Sequence, residues 1–320
     1  KSKEVLQYFQ NKYAYICVDE AQDTSKVQHE IIRLLAGRRD NLFMVGDEDQ
    51  SIYGFRAAYP EALLSFEKEH PAAKVLLMEK NFRSDANIVA AADQFIQKNT
   101  LRHEKHMTAA RGAAIEIQRI ALKGRNDQYH YLAGMAGKCQ AQTAVLYRNN
   151  ESVLPLVDRL ERQGIPYRFR SVELTFFTHR LVQDIRNIIC FAANPKDTDI
   201  FLQIYYKVST YISKRDALRI CEISSLKNMN VLDAAVRYGE LPGRTTQSCE
   251  LIRTHLKCML SERADAAINR IAYYMGYKDY LYRIGMSDSK LFILKSIAEN
   301  EVSPQRLVDR LDELKQRIKE

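Results

Sequence analysis

Two apolar runs, "YAYICVD" and "NLFMVGD", each break off in a cluster of acids. Between them lies "SKVQHEIIRLLAG", apolar at helical spacing, with Ser25 placed to cap its start and Gly37 to stop it. A short unbroken apolar run suits a strand buried on both faces. Strand, helix, strand in that order points to an α/β domain with a parallel sheet. Such sheets bind ligands at the carboxyl ends of their strands, where both acid clusters stand. "KVLLMEKNF" reads as a third strand, and "SDANIVAAADQFIQKN" as a helix capped by Ser84 or Asp85.

The alternation continues to about residue 195. "AAIEIQRI", "TAVLYR" and "IPYRFR" read as strands, with helices at "VLPLVDRLERQG", stopped by Gly164, and "HRLVQDIRNIICFAAN". After Pro195 the strand signals fade. "SKRDALRICEI", "VLDAAVRYG", "CELIRTHLKCML", "ADAAINRIAYYMG" and "PQRLVDRLDELKQRIKE" all read as helices, the last with Leu307, Leu311, Leu314 and Ile318 along one face. A boundary near Pro195 follows.

Composition narrows the class. Of 320 residues, 46% are hydrophobic and 28% charged, so the chain can bury a core and falls outside the disordered class. Its net charge of +8 is compatible with a polyanionic partner without requiring one. Six cysteines with no C-x-x-C pair suggest neither a zinc site nor a disulfide framework, and point to a reducing, cytoplasmic setting. His103 and His106 lack a third ligand nearby and read as a solvated loop rather than a metal pair. No apolar run reaches membrane-spanning length and no signal peptide is present, so no membrane partner is expected.

The chemistry concentrates in three segments. Asp19 and Glu20 end the first strand, and paired carboxylates there suit an NTPase: one acid linked to Mg²⁺, the next polarising an attacking water. The second strand ends in Asp47, Glu48, Asp49 and Gln50. Tyr53 and Phe55 follow, spaced to share one side of an extended segment, with Gly54 between them for an unusual backbone.

"VDEAQDTS", "VGDEDQSIYGFRAA" and "MEKNFRS" resemble, in order and spacing, three successive motifs of the superfamily 1A helicases of the UvrD/Rep/PcrA type; "AVLYRNN" and "GIPYRF" resemble later segments. The resemblance covers roughly residues 10–195, and the helical remainder fits by position and class. It implies RecA-like parallel-sheet motor domains, both incomplete, plus an all-helical insertion. Residues 1–80 would be the C-terminal part of the first motor domain, 81–195 the first part of the second, and 196–320 the insertion.

It also implies roles. Asp19 would be the Mg²⁺-linked acid and Glu20 the general base. Gln22 would couple this site to the next motif, and Gln50 would sense the γ-phosphate of ATP. Arg83 would be an arginine finger, whose planar guanidinium suits phosphate oxygens as charge develops. Phe82 would stack on adenine, where the family usually has Tyr. Tyr53 and Phe55 would stack on bases of single-stranded DNA, and Arg56 would touch the strand's backbone. Phe55 stands for the family's usual Trp and Ala57 for its usual Gly. Ser171, Val172 and Glu173 replace a glycine pair.

The phosphate-cradling motif G-x-x-x-x-G-K-[ST] does not occur in these 320 residues: Gly137 and Lys138 have Leu132 five places before and Cys139 after. The family's two late motifs do not occur either. The expectation is therefore a piece of an ATP-dependent, 3′-to-5′ DNA helicase of repair or replication, inactive alone, which engages single-stranded and duplex DNA. The alternative is a non-enzymatic DNA- or partner-binding protein with a degenerate helicase fold. A weaker third reading is an unrelated α/β nucleotide-binding protein.

Overall fold

The structure, a computed structural model, describes residues 2–169 and 174–319. It separates into two compact units, Lys1–Ile120 and Ala121–Glu320.

In the first unit, helix α1 (Lys3–Lys12) leads to strand β1 (Ile16–Val18), helix α2 (Lys26–Ala36) and strand β2 (Leu42–Met44). β1 and β2 pair in parallel, with Ile16 opposite Leu42 and Val18 opposite Met44. α2 starts in a reciprocal cap: the Ser25 hydroxyl accepts from the Gln28 amide, and the Gln28 side chain accepts from the Ser25 N–H at 2.8 Å. It ends at Gly37, whose φ of +57° a side chain would strain. Beyond β2 the chain turns tightly at Glu48–Gln50 and Gly54–Arg56. Strand β3 (Lys80–Asn81) then pairs in parallel with β4 (Thr108–Ala109), joined by helix α3 (Ala86–Ile96). Asp85, rather than Ser84, caps α3 by accepting from the Asn87 and Ile88 amides at 3.0 and 3.1 Å.

β1, β2 and β3 fall inside runs read as strands but are shorter than those runs, and β4 at Thr108–Ala109 falls where no strand is expected. In "KVLLMEKNF" only Lys80 and Asn81 join a ladder. The runs 113–120 and 143–148 form no strand, nor do residues 165–169 of "IPYRFR", whose Arg170 lies outside the described residues. A strand is stabilised by its cross-strand neighbours, and among the described residues these runs find none. Ile115, Ile117 and Leu146 are correspondingly exposed.

The second unit is helical and holds the main core. Helices at Asp127–Ala136, Leu154–Arg162, Arg180–Ala193, Ser289–Ala298 and Pro304–Lys319 contribute to one buried cluster that includes Phe176, Ile188, Leu294 and Leu307. Packing is continuous across Pro195: Phe191 and Phe201 sit with ring centroids 5.5 Å apart, and the Val231 N–H donates to the Pro195 carbonyl. Leu307, Leu311, Leu314 and Ile318 are buried, as their spacing requires. The expected helix over "ADAAINRIAYYMG" runs as α-helix to Asn269 and widens into a π turn at Arg270–Tyr274. The charges inside this core are paired. Asp184 accepts from Lys207 Nζ at 2.6 Å and from the Tyr277 hydroxyl at 2.9 Å. Among the described residues no helix is long and apolar enough to cross a membrane.

Candidate active site

The site is built on the ends of β1 and β2. The Val45 N–H donates to the Val18 carbonyl and the Ala21 N–H to the Val45 carbonyl, which carries the parallel pairing into the loops. Asp19 and Glu20 emerge there, both exposed. One Asp19 oxygen accepts from the Glu20 N–H at 2.9 Å. Glu20 takes a left-handed backbone, φ 49° and ψ 44°, a conformation that costs a non-glycine residue of order 1–3 kcal/mol. Backbone strain of this kind clusters at functional positions.

Gln22, 2% exposed, ties the two loops together. Its amide nitrogen donates to Glu20 Oε2 at 2.7 Å, and its amide oxygen accepts from the Asp47 N–H at 3.0 Å. The Ser51 hydroxyl donates to its carbonyl at 3.3 Å. Gly46 makes room for this bridge: a Cβ there would lie 2.9 Å from Gln22 Oε1 and 2.7 Å from Leu63 Cδ1. Gln50, exposed, donates to Asp47 Oδ2 at 2.7 Å. One oxygen of neighbouring Asp23 is buried and, among the described residues, accepts no hydrogen bond.

The remaining acids turn inward. Glu48 and Asp49 meet Arg102, His103 and Lys105, with Arg102 forking onto Asp49 at 2.7 and 2.9 Å. Lys105 reaches Asp47 at 2.7 Å. Burial raises the Asp47 and Glu48 carboxyls, but hydrogen bonds and the Lys105 charge outweigh it, and both end below their ordinary values. The His103 loop is therefore packed against carboxylates rather than solvated, while His106 is exposed beside Asp93. Residue patterns do not reveal Arg102 and Lys105, because cations spaced more than fifty residues from their partners leave no local signal.

The aromatic segment differs from the expected extended form. Tyr53 precedes a tight turn, Gly54–Arg56, and Gly54 has no positive φ; the left-handed residue is Ala57, at φ +61°. Tyr53 and Phe55 nevertheless lie together, ring centroids 5.8 Å apart and tilted by 57°. The Arg56 guanidinium sits 5.0 Å from the Tyr53 ring and 5.6 Å from the Phe55 ring. Phe55 is 80% exposed. Phe55 and the half-buried Tyr53 thus present two neighbouring rings with a cation beside them.

Phe82 and Arg83 leave β3 in the same unit, both exposed. The Asn81 side chain accepts from the Arg83 and Ser84 amides at 2.9 Å, fixing the turn into α3. Among the described residues the Arg83 guanidinium pairs with no carboxylate, which leaves it free for an anion. No group of three or more metal-binding side chains converges among the described residues. Asp19 offers a single exposed carboxylate with one oxygen already engaged. That fits a Mg²⁺ held mainly by water and phosphate oxygens rather than by a protein cage.

Residues 1–71 match the family described as the UvrD/REP helicase N-terminal domain, and residues 76–320 match the UvrD-like helicase C-terminal domain. The ATP-dependent DNA helicase PcrA of Staphylococcus epidermidis (strain ATCC 35984) is 32% identical over 293 residues, 88% of this chain and 40% of the relative. PcrA of Staphylococcus aureus (strain Mu50) is 30% identical over 300 residues, 90% of this chain and 41% of the relative. The chain thus spans about two fifths of the length of these curated relatives.

Proposed function

Because the chain belongs to the UvrD/Rep helicase family, we propose that it is part of an ATP-dependent DNA helicase that moves 3′-to-5′ on single-stranded DNA in repair or replication. The observation that carries this reading is the Gln22 bridge. It joins the Glu20 carboxylate to the loop that holds Gln50 and leads to Tyr53 and Phe55. A change at the ATP site therefore has a short covalent and hydrogen-bonded route to the base-stacking platform.

In this reading Glu20 takes a proton from the attacking water, with one carboxylate oxygen held by Gln22. Gln50 meets the γ-phosphate, and Arg83, whose guanidinium pairs with no carboxylate among the described residues, supplies positive charge as the phosphoryl group departs; such fingers are worth about 10³–10⁵ in rate. Phe82 stacks on adenine. Mg²⁺, when bound, neutralises charge on the phosphate oxygens, and Asp19 holds its water shell. Residues 1–80 and 81–195 belong to two motor domains that close on ATP, and 196–320 form the helical insertion against duplex DNA. These 320 residues alone turn over ATP poorly, since they include no phosphate-cradling motif.

The test is binding of a fluorescent oligothymidylate, followed by anisotropy. Wild-type chain is expected to bind. Phe55→Ala is expected to weaken binding about 5- to 150-fold, the equivalent of about 1–3 kcal/mol of stacking. A Phe55→Ala chain that binds as tightly as wild type would overturn the DNA-facing role of the platform.

A further inference from the structure

The inward-turned acids belong to a larger connection. Three consecutive carboxylates meet cations from one short segment. Arg102 donates from Nε and Nη2 to both oxygens of Asp49. Lys105 Nζ lies 2.7 Å from Asp47, 3.2 Å from Glu48 and 3.4 Å from Asp49. The His103 N–H donates to Glu48 at 2.8 Å. Four of these side chains are nearly dry, 5% exposed for Arg102, 9% for Asp49, 5% for Glu48 and 10% for Lys105, while Asp47 is 35% exposed. Glu48 and Asp49 are thereby spent on protein partners, while the half-buried Asp47 also accepts from the exposed Gln50.

The cationic segment is anchored on its far side as well. The Gln97 side chain accepts from Arg102 at 2.8 Å and donates to the Lys105 carbonyl at 3.1 Å. The Met107 N–H donates to Asp93 at 3.0 Å. β4 follows at once, paired with β3, and the Ala110 N–H donates to the Asn81 carbonyl. Asn81 in turn fixes the turn that carries Phe82 and Arg83. An unbroken path of ion pairs and ladder bonds therefore runs from the loop of Gln50 to the turn of Arg83.

We propose that Arg102 and Lys105 are positioning residues: they latch the Asp47–Gln50 loop to the β3–β4 pair and so set where Gln50 stands relative to Arg83. The proposal rests on the reading that Gln50 and Arg83 address the same phosphate. Under the proposed division at 80/81, the latch spans the boundary between the two motor domains. It is a defined contact that domain closure has to carry along or shear. The fork matters as well as the charge. Arg102 engages two oxygens of Asp49 in one plane, which a lysine ammonium cannot reproduce.

The test is amide hydrogen exchange on the 320-residue chain, free of nucleotide and DNA. The variants are Arg102→Gln, Arg102→Lys, Asp49→Asn and the Arg102→Gln/Asp49→Asn pair. Arg102→Gln is expected to speed exchange about tenfold or more at Gln50 and Ser51, and also at Arg83 and Ser84. Helices of the second unit should stay unchanged. Arg102→Lys should recover part of the protection, and the double variant should be no faster than Arg102→Gln alone. Loosening confined to Gln50 and Ser51, with Arg83 and Ser84 unmoved, would overturn the latch and leave a local staple. Unchanged exchange throughout would overturn it too. If Arg102→Gln fails to fold, Lys105→Gln decides on the same amides. Oligothymidylate anisotropy on the same samples separates the two ideas. A wild-type chain that ignores DNA counts against the helicase reading, while the exchange pattern still judges the latch.

Discussion

Ala57 holds a left-handed backbone, φ +61°, that its side chain disfavours. For an alanine that conformation costs roughly 1–2 kcal/mol, and glycine escapes it while giving back part of the gain as unfolded-chain entropy. Ala57→Gly is therefore expected to stabilise the chain by about 0.5–1 kcal/mol, seen as a higher urea midpoint at unchanged m-value. A lower midpoint would mean that the turn does not need this conformation. The same residue marks how far residue types alone can carry a reading. The family resemblance puts glycine at 57, yet residue type points to Gly54, because glycine is the residue that usually signals a left-handed backbone. Glu20 has no such signal: nothing in the letters "DE" announces a left-handed carboxylate. Gln22 stands out in the sequence by resemblance alone. Its burial, and the crowding at Gly46 that protects its amide, depend on contacts that residue spacing does not encode.

At the scale of elements, periodicity and caps carry far. Ser25 and Gly37 bound α2 as expected, since both act through local hydrogen bonds and φ. The helices beyond Pro195 are legible from their apolar faces. The expected strands at 113–120 and 143–148 do not form, because a strand is defined by a neighbour and an apolar run cannot name one. The loop after β2 is opaque to sequence for a related reason: its stability comes from cations more than fifty residues away. That origin dictates its pH behaviour. Asp47 and Glu48 lie below their ordinary values, so their contribution is present above the unfolded carboxylate range and is lost as pH falls through their lowered folded values. Burial lowers Lys105, but its bond to Asp47 and the surrounding acids raise it further, so its share is present below about pH 10 and fades above. Protection factors at Gln50 and Ser51 are thus expected to stay level from about pH 5 to 9 and to drop below about pH 4. A drop already between pH 6 and 7 would show that these carboxylates do not set the loop's stability.

At the scale of the molecule, the two units differ in what holds them. In Lys1–Ile120 the buried apolar side chains among the described residues are Ala21, Ala62 and Val89, and the tightest contacts are ionic or amide-based. In Ala121–Glu320 the buried set includes Phe176, Phe191, Phe201, Ile188, Ile271, Met259 and Leu307, with the Asp184–Lys207–Tyr277 group satisfied inside it. Burying a large apolar side chain contributes about 1.5–3 kcal/mol, whereas ion pairs give little net stabilisation once desolvation is counted. Opening free energy follows buried apolar contact. The first unit is therefore expected to open well before the second. In limited proteolysis at low protease, the first cuts should fall within residues 1–120, with a product spanning most of 121–320 persisting. Raising salt to about 1 M should speed those first cuts several-fold by screening exposed and half-buried pairs, and should leave the second unit's lifetime nearly unchanged. First cuts among the helices beyond 174 would show that the apolar unit opens first and would overturn this order. Such an order has a functional sense under the proposed reading: the unit that carries Glu20, Gln50, Arg83 and the single-strand contacts is the one able to rearrange at low cost, and the helical unit is the one that keeps its shape.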